Sequence, residues 1–195
     1  MAIRDPDRRE KIIETARRIF AKHGYEGTSI SMIAAETGLT KAALYHHFEG
    51  KEALFRICFR SGIDELIEEV EAALSTAGSD PVERLRTFML ATAARFERKQ
   101  ESWAISAAIF WATRSLMARA ELVQRRDHFE NLLKSIIQAG IDNGSFRDDL
   151  DVSLTGKFLM SVINQMPRWY HKDGKYQAVE IVSMYLDTFI RGMRA

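Results

Sequence analysis

The chain has 195 residues, 46% hydrophobic and 28% charged, with a net charge of +1. These are values of an ordinary soluble globular protein with one good core or two small ones. The single cysteine, Cys58, excludes an internal disulfide and fits a reducing cytoplasm, and the longest uncharged stretch, residues 102–113, is too short to span a bilayer.

The first ten residues are charged and lack an apolar signal core, so the expected location is cytoplasmic and no membrane partner is expected. Only three prolines interrupt a chain rich in Ala, Leu, Ile, Glu and Arg, which favours an all-α fold.

Asp5 and Pro6 suit the start of a first helix, whose apolar stripe is Ile12, Ala16, Ile19 and Phe20. Gly24 stops it. Thr28 or Ser29 caps a second helix that buries Ile30, Ile33 and Ala34. Gly38 supplies a turn that needs positive φ, and Thr40 caps a third helix with Leu44 and Phe48 inward at i, i+4. A fourth helix runs from Lys51 to about Leu74, with apolar positions at Leu54, Phe55, Cys58, Phe59, Ile63, Leu66, Ile67 and Val70. It is too long for a small head alone and reads as the strut to a body.

Residues 75–79 form a small-residue linker. Asp80-Pro81 opens a helix to about Arg98, with a stripe of Val82, Leu85, Met89, Thr92 and Phe96. Residues 103–112 are apolar on nearly all sides and predict a buried helix. Another spans about 118–141. Asp149 or Asp151 opens an eighth helix through Trp169, kinked or ended by Pro167, and the last covers about 177–191. The reading is about nine helices with no strand, divided into a head at 1–52 and a body at 53–195.

Residues 28–48 combine a short helix, a Gly-centred turn and a second short helix with an exposed polar-aromatic edge. That is a helix-turn-helix pattern, whose second helix lies in the DNA major groove. Charge leans the same way: residues 1–60 hold 11 Lys and Arg against 8 Asp and Glu, the remainder 17 against 19.

The pattern Ala16…Phe20…Gly24-Tyr25…Thr28-Ser29-Ile30…Ile33-Ala34…Gly38, followed by Leu44-Tyr45-His46-His47-Phe48 and Lys51-Glu52-Ala53-Leu54, resembles the tetracycline-repressor (TetR) family of transcriptional regulators. The body segment around Gly144-Ser145-Phe146-Arg147, with Trp169-Tyr170-His171-Lys172-Asp173-Gly174, is similar to a subgroup controlling fatty-acid, acyl-CoA or sterol breakdown. The resemblance implies a repressor that binds a double-stranded, palindromic operator as a homodimer, released by a hydrophobic effector such as an acyl-CoA, a fatty-acid-like or an aromatic compound. A ligand-independent repressor is the alternative.

The resemblance puts base reading on Lys41, Ala42, Tyr45 and His46, which also lie opposite Leu44 and Phe48. Lys51, at a helix start, is expected to hold a phosphate. Thr28, Ser29, Ser31 and Thr40 are candidates for hydroxyl contacts to the DNA backbone, and Thr28, Ser29 and Thr40 read equally as caps. His47 reads as packing under the head.

The family uses its last two helices as the dimer face, here implicating Leu154, Phe158, Val162, Ile181, Met184, Tyr185 and Phe189. Phe88, Met89, Phe96, Trp103, Phe110, Trp111, Met117, Met160, Gln165, Trp169 and Tyr170 are candidates to line an effector cavity, or equally to form a solid core. Arg95, Arg98, Lys99, Arg114 and Arg119 are candidates for coenzyme A phosphates, or solvated surface cations.

No Gly-rich phosphate loop, nucleophile elbow or metal-spaced His/Cys cluster is present, so neither an enzyme nor a cofactor is expected. An all-α protein-binding adaptor is the remaining rival.

Overall fold

The computed structural model describes residues 6–100, 103 and 116–194, and eight α-helices and one 3-10 turn lie among them. They are α1 (Pro6–Gly27), α2 (Ile30–Thr37), α3 (Lys41–His47), α4 (Lys51–Thr76), α5 (Pro81–Arg98), α6 (Leu116–Asp142), α7 (Val152–Gln165) and α8 (Ala178–Met193). The all-α reading agrees with this architecture. The expected helix over 103–112 lies outside the described residues except for Trp103, as does the expected cap Asp5.

The chain divides into two compact units, Met1–Asp64 with Glu101–Gln124, and Glu65–Gln100 with Arg125–Ala195. In the first, α1 packs on α2 and α2 on α3. Ile12, Ile13, Ala16, Phe20, Ile33, Leu44, Phe48, Leu54, Phe55 and Cys58 form its core. Phe20 and Phe55 meet edge to face at 5.0 Å, and Tyr25 meets Phe55 similarly at 4.9 Å. Gly24 adopts φ 69 inside the span of α1 and breaks it there.

In the second unit α5 packs along α8 and also touches α7. Asp80 caps α5 by accepting from the Val82 N–H, and Asp151 caps α7 by accepting from the Leu154 N–H at 2.8 Å. Gln177 and Glu180 form a capping box on α8. Each cap satisfies backbone donors that the first helical turn leaves unpaired. The helix expected to reach Trp169 ends at Gln165. Pro167 cannot continue it, and Met166–Arg168 make a 3-10 turn instead.

Candidate nucleic-acid interface

The interface is built from caps and turns. Ser29 Oγ accepts from the Met32 N–H at 3.2 Å and starts α2. Gly38, at φ 65 and ψ 26, ends it in the left-handed conformation, and the Leu39 N–H returns to the Ala34 carbonyl at 2.9 Å. Two residues later Thr40 Oγ1 accepts from the Ala43 N–H at 3.1 Å and starts α3. The α2–α3 connection is therefore three residues, each with a defined backbone task.

Leu44 and Phe48 fix the rotation of α3 by pointing into the core, at 1% and 4% exposure. The Arg9 guanidinium lies 5.4 Å from the centre of the Phe48 ring. As a result Lys41, Ala42, Tyr45 and His46 share the exposed face, with Tyr45 56% exposed. That face offers a cation, a small apolar side chain, a phenol and an imidazole, all within two turns. Ser29, Ser31 and Thr40 are also exposed. Ser29 and Thr40 act as caps through their side-chain oxygens. His47 is half-buried, its ring 6.2 Å from that of Phe48.

Two expected contact residues are turned inward. Thr28 is 2% exposed, and its hydroxyl donates to the Gly24 carbonyl at 2.7 Å. It closes the end of α1 rather than facing a phosphate. Lys51 Nζ donates to the carbonyls of Tyr25 at 2.8 Å and Thr28 at 3.1 Å, and sits 4.1 Å from the centre of the Tyr25 ring. Burial, with Glu52 and Glu26 nearby, raises the Tyr25 phenol above its ordinary value. Sequence reasoning placed Tyr25 in the family pattern but gave it no partner.

In the second unit, Phe88, Met89 and Phe96 are enclosed to within 1% exposure. Their burial places them in the core of that unit. Phe88 meets Phe129 at 4.8 Å, and Phe96 meets Tyr170 at 5.5 Å. The Tyr170 hydroxyl donates to Glu97 Oε1 at 2.8 Å. Burial first, then this bond, raises its pKa. Met160 is half-buried, and Gln165 and Trp169 are exposed. Trp103 is half-buried; Phe110 and Trp111, and the side chain of Met117, lie outside the described residues.

Arg95 is no free phosphate ligand: it pairs with Glu65 and Glu69, and Arg98 pairs with Glu69. Lys99 is exposed at the end of α5; Arg114 and the Arg119 side chain lie outside the described residues.

The outer face of α7 and α8 exposes Leu154, Phe158, Met184 and Tyr185, by 64%, 57%, 45% and 44%. Val162, Ile181 and Phe189 are half-buried, and the Phe158 and Phe189 rings meet at 4.7 Å. The inner face of α8 buries Ala178, Val182, Leu186, Ile190 and Met193. The two helices thus carry apolar residues on both sides, more than their own unit covers. Among the described residues no helix is long and apolar enough to cross a membrane.

Residues 12–58 match the family model for bacterial regulatory proteins of the tetR family, and residues 78–193 match the model for a tetracyclin repressor-like C-terminal domain. The chain is 28% identical to the HTH-type transcriptional repressor KstR2 of Mycolicibacterium smegmatis, over 95% of this chain and 90% of that protein. Among solved structures, the TetR family transcriptional regulator PfmR of Thermus thermophilus superposes with a TM-score of 0.80 at 35% identity, covering 95% of this chain and all of that one. AibR in complex with isovaleryl coenzyme A and operator DNA superposes with a TM-score of 0.80 at 28% identity, covering 93% and 97%.

Proposed function

The chain belongs to the tetR family of bacterial regulatory proteins, and on that premise we propose that it is a cytoplasmic transcriptional repressor, not an enzyme, that binds a palindromic operator as a homodimer. The observation that carries the reading is the exposed face of α3. Leu44 and Phe48 anchor the helix, and Lys41, Ala42, Tyr45 and His46 are left facing outward. A recognition helix needs this division: one side locked in a core, the other free to enter the major groove. Lys41 donates to guanine acceptors or phosphate, and Ala42 allows close approach to a thymine methyl. Tyr45 and His46 donate to phosphate or base edges. Ser29, Ser31 and Thr40 keep hydroxyl protons available for the DNA backbone.

The DNA-binding head is taken as residues 1–52 and the effector and dimerisation domain as 53–195. One head buries too little surface for useful specificity, so two are paired across the outer face of α7 and α8. Phe158, Leu154, Met184 and Tyr185 supply its apolar centre. The dimer sets its two α3 helices about 34–36 Å apart, one turn of duplex.

Release follows from a hydrophobic effector in the larger domain that favours a different packing and shifts α4. A coupling of about 1–3 kcal/mol changes operator affinity by 5- to 150-fold. An acyl-CoA is the effector class favoured, because AibR, similar along nearly its whole length, is known with isovaleryl coenzyme A and operator DNA.

The test is selection of bound duplexes from a random pool with the full-length protein. The reading expects a two-fold symmetric motif with half-sites centred about 10 base pairs apart. A pool that stays random through the selection would reject it. Titration of the bound motif with acyl-CoAs then tests the effector class, through release of the DNA.

A further inference from the structure

A lysine at the first position of α4 has an obvious employment as a phosphate clamp, but its ammonium is directed elsewhere. It has three N–H donors. One reaches the Tyr25 carbonyl at 2.8 Å and one the Thr28 carbonyl at 3.1 Å. The nitrogen also lies over the Tyr25 ring, 4.1 Å from its centre. Two carbonyls and one aromatic face account for all three donors.

The acceptors are chemically suited to a cation. Gly24 breaks α1 with its positive φ, and the Tyr25 and Thr28 carbonyls lie beyond that break. The Tyr25 carbonyl accepts a weak 3.3 Å bond from the Thr28 N–H and has a lone pair left for Lys51. The Tyr25 ring is itself held edge to face against Phe55 at 4.9 Å. Thr28 is pinned through its hydroxyl to Gly24, and Ser29, the cap of α2, follows directly. One ammonium therefore joins the end of α1, the approach to α2 and the start of α4.

We propose that Lys51 is a positioning residue of operator binding, which ties the α1–α2 connection to the first turn of α4 so that α2, and α3 packed on it, meet DNA in one fixed orientation. It acts through the Tyr25 and Thr28 carbonyls and the Tyr25 ring, not through a phosphate. The inference rests on the operator-binding reading.

The test measures affinity of the full-length protein for the duplex obtained by selection, by fluorescence anisotropy across a series of salt concentrations. Lys51→Met keeps the stem and removes the donors and charge. It is expected to lose about tenfold in affinity, near the low end of the worth of one hydrogen bond to a charged group, with the slope of log K against log salt unchanged. Lys51→Gln keeps two N–H donors without the charge, on a side chain one atom shorter, and is expected to recover part of the loss. Tyr25→Leu removes only the ring that receives the ammonium and leaves both carbonyls, so it is expected to lose less than Lys51→Met and to add no further loss to Lys51→Met in the double variant.

A phosphate clamp gives the opposite pattern. Both Lys51 variants would then lower the salt slope by about 0.9, the contribution of one neutralised phosphate, and Tyr25→Leu would add its loss independently. That result, or unchanged affinity in Lys51→Met, overturns the proposal. If Lys51→Met melts below the assay temperature, the slopes of Lys51→Gln and Tyr25→Leu decide. Failure of the operator reading is separate, because the unaltered protein would then show no preference for the selected duplex.

Discussion

Arg95 Nη2 lies 2.7 Å from Glu65 Oε2, and the Arg95 side chain is only 7% exposed. Its other terminal nitrogen donates to Glu69, which also receives Arg98. The guanidinium of α5 is thus held by two carboxylates one turn apart on α4. Both glutamates keep about two-fifths of their side-chain surface in water, so their charges are not stranded when the arginine is removed. We expect Arg95→Met to cost about 1–3 kcal/mol, read as a lower urea midpoint. Arg98→Ala, at a 56% exposed side chain, is expected to cost under about 1 kcal/mol. Equal effects would contradict the difference in burial.

Cys58 is buried and its thiol donates to the Ile13 carbonyl at 3.4 Å. Burial pushes its pKa from 9.0 up to about 12. A folded pKa above the unfolded one stabilises fully below the lower value and is lost as pH rises through the higher. The stability difference between the unaltered protein and Cys58→Ala should therefore stay flat below pH 9 and shrink from there toward pH 12. Urea unfolding at a series of alkaline pH values checks this. A difference that stays constant through about pH 10.5 would count against it.

Phe158 is 57% exposed beside Phe189 on the outer face of α7 and α8. Phe158→Glu is expected to halve the mass seen by sedimentation while helical circular dichroism is retained. Charges facing each other across a two-fold axis repel, and the exposed position costs the folded protomer little. Operator affinity should fall with dimerisation. Retention of the unaltered protein's mass would place the dimer face elsewhere.

Lys41→Ala and Tyr45→Ala remove exposed groups from α3 without touching Leu44 or Phe48. Each is expected to weaken operator binding by about 1–3 kcal/mol with an unchanged melting temperature. If Lys41 meets a base, Lys41→Ala relaxes specificity at that base; if it meets phosphate, the salt slope falls by about 1. Unchanged affinity in both variants would remove α3 as the contact surface.

Most of the fold was legible because its punctuation is local. Gly24 and Gly38 take positive φ, and Ser29, Thr40, Asp80 and Asp151 cap the helices that follow them. Each signal acts within three or four residues, so spacing alone reveals it. The rotation of α3 was legible for the same reason, since Leu44 and Phe48 sit one turn apart.

What escaped was the long-range use of cations. Arg95 reads as a surface charge until Glu65 and Glu69, 30 and 26 residues earlier, are folded against it. Lys51 reads as a phosphate ligand until the carbonyls of Tyr25 and Thr28 reach it. No periodicity encodes a side chain's choice between a backbone carbonyl in its own protein and a phosphate in another molecule. Phe88, Met89 and Phe96 carried a similar ambiguity, because core and cavity wall use the same residues.

The most direct test of operator recognition is a competition in solution. A labelled palindromic duplex from the selection is challenged with bulk genomic DNA at about 0.15 M salt. The account predicts a preference for the palindrome of at least about a thousandfold, as specific over non-specific binding requires. Equal displacement by both DNAs would contradict it.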